Sequence, residues 1–171
     1  MAKAILICGR ICSGKSTLAR RLCRERNAVA LSLDEVMLTL FEEGCGDQHE
    51  MYAARTKRYL YRKAFEIIGA GVDVVLDWGF WRAGDRAEAE RCFKERGIAC
   101  EKHYICLPDR TQLRYIEKRN AEVRNGTAEA YLVDEGLYRK AASLFEEPAA
   151  DWADVRHEPD EGSESVKCLH R

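Results

Sequence analysis

The stretch Ala4-Ile5-Leu6-Ile7-Cys8-Gly9-Arg10-Ile11-Cys12-Ser13-Gly14-Lys15-Ser16-Thr17 decides the fold. Its first five residues are an unbroken apolar run, which suits a strand buried on both faces of a parallel sheet. Residues 9–17 then match the spacing G-x-x-x-x-G-K-[ST], the P-loop pattern. Leu18, Ala19 and Leu22 follow at helical spacing. Strand, glycine loop and helix therefore come in the order that a phosphate site at a helix N-terminus requires. Gly9 and Gly14 are expected to permit backbone angles that turn successive N–H groups towards phosphate oxygens. The loop Gly9, Arg10, Ile11, Cys12, Ser13, Gly14, Lys15, Ser16, Thr17 is thus expected to bind ATP. Lys15 would reach the β- and γ-phosphates, and Ser16 would offer its hydroxyl to Mg²⁺.

Outward from this unit, strands and helices alternate. Residues 28–33, 72–77 and 103–107 read as strands. Helices are expected from about His49 to Ala70, over residues 85–96, from a cap at Asp109 past Val123, and from about Asp134 to Glu146. Leu60, Ala64 and Ile67, with Tyr61, Phe65 and Ile68, form the apolar stripe of the first of these. A short last strand is expected near residues 153–157, and the polar stretch after Pro159 predicts a mobile tail over residues 159–171. The alternation predicts an α/β fold with a parallel sheet covered by helices on both faces, and one domain over residues 1–171.

In such a sheet ligands bind beyond the carboxyl ends of the strands. Two carboxylates fall there. Asp77 ends the apolar run Val74-Val75-Leu76 and suits the shell of a Mg²⁺ ion, or else it caps a turn. Asp34 follows the second strand and is placed to take the proton of an acceptor hydroxyl, or else it caps the helix that starts at Glu35. Trp78-Gly79-Phe80-Trp81 comes next after Asp77 and is either an apolar wall for an acceptor or core packing. Arg82 and Arg86 read more readily as solvated charges than as contacts to an anion.

Phosphoryl transfer builds charge that arginines stabilise. Arg114, Lys118 and Arg119 lie on the helix after the fourth strand, with a flexible break expected at Asn125-Gly126-Thr127. Arg114 and Arg119 are the candidate catalytic arginines of a basic lid, against a solvated face balanced by Glu117 and Glu122. Arg55, Arg58 and Arg62 read more readily as a solvated helix face than as contacts to an anionic acceptor.

Composition bounds the rest. The 171 residues are 46% hydrophobic and 33% charged, an ordinary globular balance. The net charge of −1 gives no general attraction to nucleic acid or anionic membrane. No apolar run is long enough to span a bilayer, and the N-terminus lacks a signal pattern, so a cytoplasmic location is expected. The 8 cysteines show no Cys-x-x-Cys spacing and read as free, small hydrophobes of a reducing compartment.

Residues 9–17, Leu33-Asp34-Glu35, Asp77-Trp78-Gly79-Phe80-Trp81, residues 114–120 and Phe145-Glu146-Glu147-Pro148 together resemble the small P-loop kinases of the zeta-toxin, chloramphenicol-phosphotransferase and polynucleotide-kinase-like group. The resemblance spans residues 1 to about 150. It implies a P-loop NTPase fold of the nucleoside-monophosphate-kinase type, with Asp34 as the acceptor-side base, Arg119 as the lid arginine and residues 145–148 near the adenine. Polynucleotide kinases carry an arginine three residues after the base, where this chain has Met37. That departure disfavours a nucleic-acid end as acceptor. The expected function is an ATP- and Mg²⁺-dependent kinase acting on a hydroxyl of a small molecule. The alternatives are a polynucleotide or nucleoside kinase, and a nucleotide-binding regulatory module without an acceptor.

Overall fold

The computed structural model describes residues 1–41, 44–159 and 166–170. Along the chain run β1 (Ala4–Gly9), α1 (Lys15–Arg26), β2 (Val29–Ser32), α2 (Leu33–Leu40), a 3-10 turn (Gly46–Gln48), α3 (His49–Gly69), β3 (Val74–Asp77), α4 (Ala83–Lys94), β4 (Cys100–Ile105), α5 (Asp109–Arg124), α6 (Glu135–Leu144), β5 (Val155–Pro159) and β6 (Val166–His170). The sheet order is β2-β3-β1-β4-β5-β6. Its first five strands are parallel, as helical crossovers require, and β6 is antiparallel to β5.

β1 occupies the centre and all its residues are buried, as its unbroken apolar run requires. Alternation along the strand divides the core. Leu6 and Cys8 pack with Leu76 and Tyr104 against Leu33, Met37, Leu60, Ala64 and Phe93 from α2, α3 and α4. Ile5 and Ile7 pack with Val75 and Ile105 against Leu18, Ala19 and Leu22 of α1 on the other face. Register then levels the site end of the sheet. Ser32 pairs with Asp77 and Gly9 with Ile105, so β2, β3, β1 and β4 finish together.

Two details differ from expectation. Where a mobile tail is expected after Pro159, Val166–His170 pairs with β5, with Leu169 opposite Arg156. This pairing satisfies backbone groups that the edge of β5 would otherwise leave to solvent. Residues 160–165 and Arg171 of that expected tail lie outside the described residues. The second difference is at Asn125-Gly126-Thr127, expected as a break. There α5 ends in a closed turn: the Thr127 N–H and hydroxyl both donate to the Glu122 carbonyl, at 2.9 and 3.0 Å.

Candidate active site

The P-loop links β1 to α1. Gly14 adopts φ +92° and Cys12 φ +55°, so the left-handed steps fall at these two positions. Gly9 is needed for space instead. A Cβ there would lie 2.5 Å from Ser13 Oγ and 3.2 Å from the Ile105 carbonyl. Ser13 is 1% exposed and its hydroxyl has no hydrogen-bond partner among the described residues. Lys15 Nζ donates to the carbonyls of Gly9 at 3.0 Å and Arg10 at 2.7 Å. Burial pushes the Lys15 pKa down, and the nearby carboxylates of Asp77 and Asp34 pull it back up.

Asp77 ends β3 and is buried. Burial raises its pKa. The Ser16 hydroxyl, which hydrogen-bonds the carboxylate, and the Lys15 charge act against that rise, while Asp34 adds to it. Asp34 is exposed in the first turn of α2 rather than at a strand end. The cap of that helix is Ser32, whose hydroxyl accepts from the Glu35 N–H at 3.3 Å. Asp34 is therefore not held by a capping bond. Tyr131, from the segment after α5, is the next group within electrostatic reach of Asp34. Its phenol pKa is raised first by burial and then by Asp34. Its ring meets His49, at the start of α3, edge-on at 6.0 Å.

These residues suit a metal-bound nucleotide phosphate. Ser16 and Asp77 bring a hydroxyl and a carboxylate together, the hard oxygen donors that Mg²⁺ takes. The buried, unpartnered Ser13 hydroxyl and the Lys15 ammonium, bonded only to neutral carbonyls of its own loop, are the donors such an anion needs.

α5 grips the loop. Arg10 donates to the Asp109 carboxylate at 2.5 Å and to the Leu107 carbonyl at 2.6 Å. Gln112 donates to the Ile11 carbonyl at 2.9 Å, and Arg119 Nη1 donates to Cys12 Sγ at 3.4 Å. Three successive loop residues thus meet α5, whose positions 112 and 119 share a face. Asp109, expected as the helix cap, lies inside the first turn, and Pro108 takes the cap position. Arg119 lies beside the loop, whereas Arg114 is exposed on another side of the helix. Gln112 and Arg10 were not legible as loop partners, because nothing in a polar helix position or a variable motif position marks it as a tether.

The aromatic turn resolves towards packing. Trp78 and Phe80 are core residues, and Trp81 is half-buried. Gly79 lies under the Trp81 indole, where a Cβ would come within 2.6 Å of Nε1. Arg86 corrects its reading as a solvated charge: it is 4% exposed. Arg55, Arg58 and Arg62 are exposed. Residues 145–148, placed near the adenine by resemblance, clasp the start of α4. The Glu146 N–H donates to the Trp81 carbonyl at 2.8 Å and its carboxylate accepts from the Ala83 N–H at 2.7 Å. The Tyr104 hydroxyl donates to Glu147 at 3.2 Å.

Residues 5–147 match the AAA_33 family, described as an AAA domain. Among solved structures, the chain is similar to the Mycobacterium tuberculosis APS kinase CysC in complex with AMPPNP and APS. The two are 22% identical, with 93% of this chain and 89% of that chain covered and a TM-score of 0.66. Chaetomium thermophilum Kti12 in complex with ADP-AlF3 is 17% identical, with 91% and 88% covered and a TM-score of 0.69. A chain of the Pnkp1/Rnl/Hen1 RNA repair complex is 17% identical, with 84% of this chain and 43% of that chain covered and a TM-score of 0.68. No curated protein matches. The sheet order, the loop after the central strand and these likenesses give the P-loop NTPase fold. The chain belongs to the AAA_33 family, an AAA domain.

Proposed function

We propose that this protein is an ATP- and Mg²⁺-dependent kinase that transfers the γ-phosphate to a hydroxyl of a small-molecule acceptor. The observation that carries the reading is Asp34: an exposed carboxylate, relieved of capping by Ser32, within electrostatic reach of Lys15 and Asp77. A nucleotide-binding module needs the loop but has no use for a base at that place.

In this reading the loop N–H groups of residues 9–17 and the Lys15 ammonium bind the β- and γ-phosphates. Ser16 and Asp77 would hold Mg²⁺, which would supply positive charge to offset that of the phosphates. Asp34 accepts the acceptor hydroxyl's proton as the new O–P bond forms and the bond from the γ-phosphorus to the ADP oxygen breaks. Arg119, already on the loop through Cys12, stabilises charge on the transferred group. Arg114, exposed and on another face, is left outside this set. Met37 supports a small acceptor over a nucleic-acid end. It is 1% exposed, with its sulfur 3.6 Å from the Thr56 hydroxyl on α3, so no cation stands one turn after Asp34.

The test is a metabolite screen for acceptor-stimulated ATP consumption, repeated with Asp34→Asn on each acceptor found. The native protein should respond to at least one small hydroxyl compound. Asp34→Asn should keep ATP affinity and lose ~10²-fold or more of the transfer rate. Native transfer rates in the variant would refute the base. Tight ATP binding with no stimulating acceptor, RNA and DNA ends included, would favour a nucleotide-binding module.

A further inference from the structure

Arg86 lies in the first turns of α4, 4% exposed, and its partners are neutral. Its Nη1 donates to the Phe80 carbonyl at 3.0 Å and the Trp81 carbonyl at 3.1 Å, and lies 3.9 Å from Cys8 Sγ. Its guanidinium sits 5.6 Å from the Trp152 ring centre. A cation held this way gives up its hydration for dipoles and a ring face, with no carboxylate among the described residues bonded to it in return. An apolar side chain of the same length would fill the space at lower cost. Packing alone is a poor reason to keep a charge here.

What the charge holds is more specific. Asp77 leads straight into the turn of residues 78–81. Phe80, inside that turn, adopts φ +43°, a left-handed conformation that a residue with a side chain takes only when its surroundings impose it. The Phe80 carbonyl accepts from Arg86 and also from the Cys8 thiol at 3.4 Å. Cys8 is the residue before Gly9, so this carbonyl joins the turn after Asp77 to the strand that feeds the P-loop. The Trp81 carbonyl, the second group Arg86 holds, also takes the Glu146 N–H.

We propose that Arg86 is a positioning residue for Asp77, fixing the turn of residues 78–81 so that the Asp77 carboxylate meets Ser16. The inference rests on the reading of Ser16 and Asp77 as the Mg²⁺ donors. Arg86 touches neither nucleotide nor metal in this scheme. It acts through two consecutive carbonyls, both held from the single nitrogen Nη1, a position that the shorter lysine side chain reaches only in part.

Calorimetric titration with AMPPNP, with and without Mg²⁺, tests it on the native protein, Arg86→Met and Arg86→Lys. The native protein should bind AMPPNP more tightly with Mg²⁺ than without. In Arg86→Met the metal-free affinity should stay within ~3-fold, while the gain from Mg²⁺ shrinks ~10-fold or more, the range seen when groups that orient a metal ligand are removed. Arg86→Lys should shift the same gain in the same direction by less. A role in packing alone would lower the melting temperature and leave the gain intact, and that result in a folded variant overturns the proposal. If Arg86→Met does not fold, Arg86→Lys decides: a native Mg²⁺ gain in it refutes the positioning role. A native protein that binds no AMPPNP would instead sink the kinase reading. One that binds it with no help from Mg²⁺ would sink the Asp77 assignment and this proposal together.

Discussion

Gly9 and Gly14 are the two fixed glycines of one motif and serve different needs. Gly14 supplies a left-handed step, with open space where its Cβ would be. Gly9 supplies room for Ser13, in an ordinary backbone conformation. The motif is legible in sequence, but the division of labour is not, because spacing carries no information about which neighbour will fill the gap. Lys15 illustrates what the loop then does with its charge. With Nζ on the Gly9 and Arg10 carbonyls, it is held at the loop and replaceable only at a loss. Lys15→Ala should leave the fold intact and weaken ATP binding by about 10–100-fold, the worth of a charge-assisted contact. Calorimetry reads this directly, and an unchanged affinity would count against the loop as the phosphate site. Arg119 should behave otherwise. If it stabilises charge that appears only during transfer, Arg119→Ala should lower kcat by ~10³-fold while ATP binding changes much less. Equal losses in binding and turnover would make it a ground-state tether of Cys12 instead.

At the scale of elements, α5 and the segment after it form one unit. Asn120, buried on α5, donates to the Val133 carbonyl and accepts from the Val133 N–H, each at 2.9 Å. This clip holds the chain two residues from Tyr131, and hence the aromatic contact that faces His49 beside Asp34. Asn120→Ala would leave both Val133 groups buried without partners, at a cost of about 2–4 kcal/mol. That corresponds to a melting temperature lower by roughly 4–16 °C for a chain of this size. Hydrogen exchange should quicken over residues 126–134 first; uniform quickening along the chain would show that the clip is not local. Helix positions were legible from periodicity, but their caps were off by a residue or two. Ser32 caps α2 in place of Asp34, and Asp109 pairs with Arg10 in place of capping α5. Adjacent polar residues compete for such roles, and tertiary partners decide between them. Arg86 departs from its sequence pattern for a related reason. Among Asp85, Glu88, Glu90 and Arg91 it looks like solvated charge, yet it shares its helical face with Ala89 and Phe93, the buried side of α4.

Across the whole molecule, the parallel core follows from alternating strands and helices, while β6 does not, because the five residues Val166–His170 are too few to set a period of their own beside the polar run that precedes them. A polar network ties the opposite end of the sheet together. Glu101 on β4 pairs with Lys3 before β1, with Arg26 at the end of α1 at 2.6 Å, and with His103 at 2.7 Å. His103 in turn meets His157 of β5 at 2.8 Å, the two rings stacked. Since the carboxylate must accept, His103 donates from Nε2, and its Nδ1 accepts a hydrogen bond from the Nε2–H of His157. Burial acts to raise the Glu101 pKa, but hydrogen bonds from Lys3, His103 and Arg26 outweigh it and bring it from 4.5 down to about 2. Burial pushes His103 below its ordinary 6.5, with Glu101 opposing. Both groups bind fewer protons folded than unfolded, so these two favour the folded state most above pH 6.5, less as His103 resists protonation below it, and less again from 4.5 towards 2. Glu101→Gln should cost about 2 kcal/mol at pH 7, a figure reduced for solvent screening, and should flatten the acid limb of the profile. Urea unfolding at a series of pH values measures both. Parallel profiles for native and variant would show that the network does not set acid stability. ATP affinity at pH 7 should be unchanged in the variant, because Glu101 lies at the amino end of β4 and the P-loop follows the carboxyl end of β1, beside which β4 finishes.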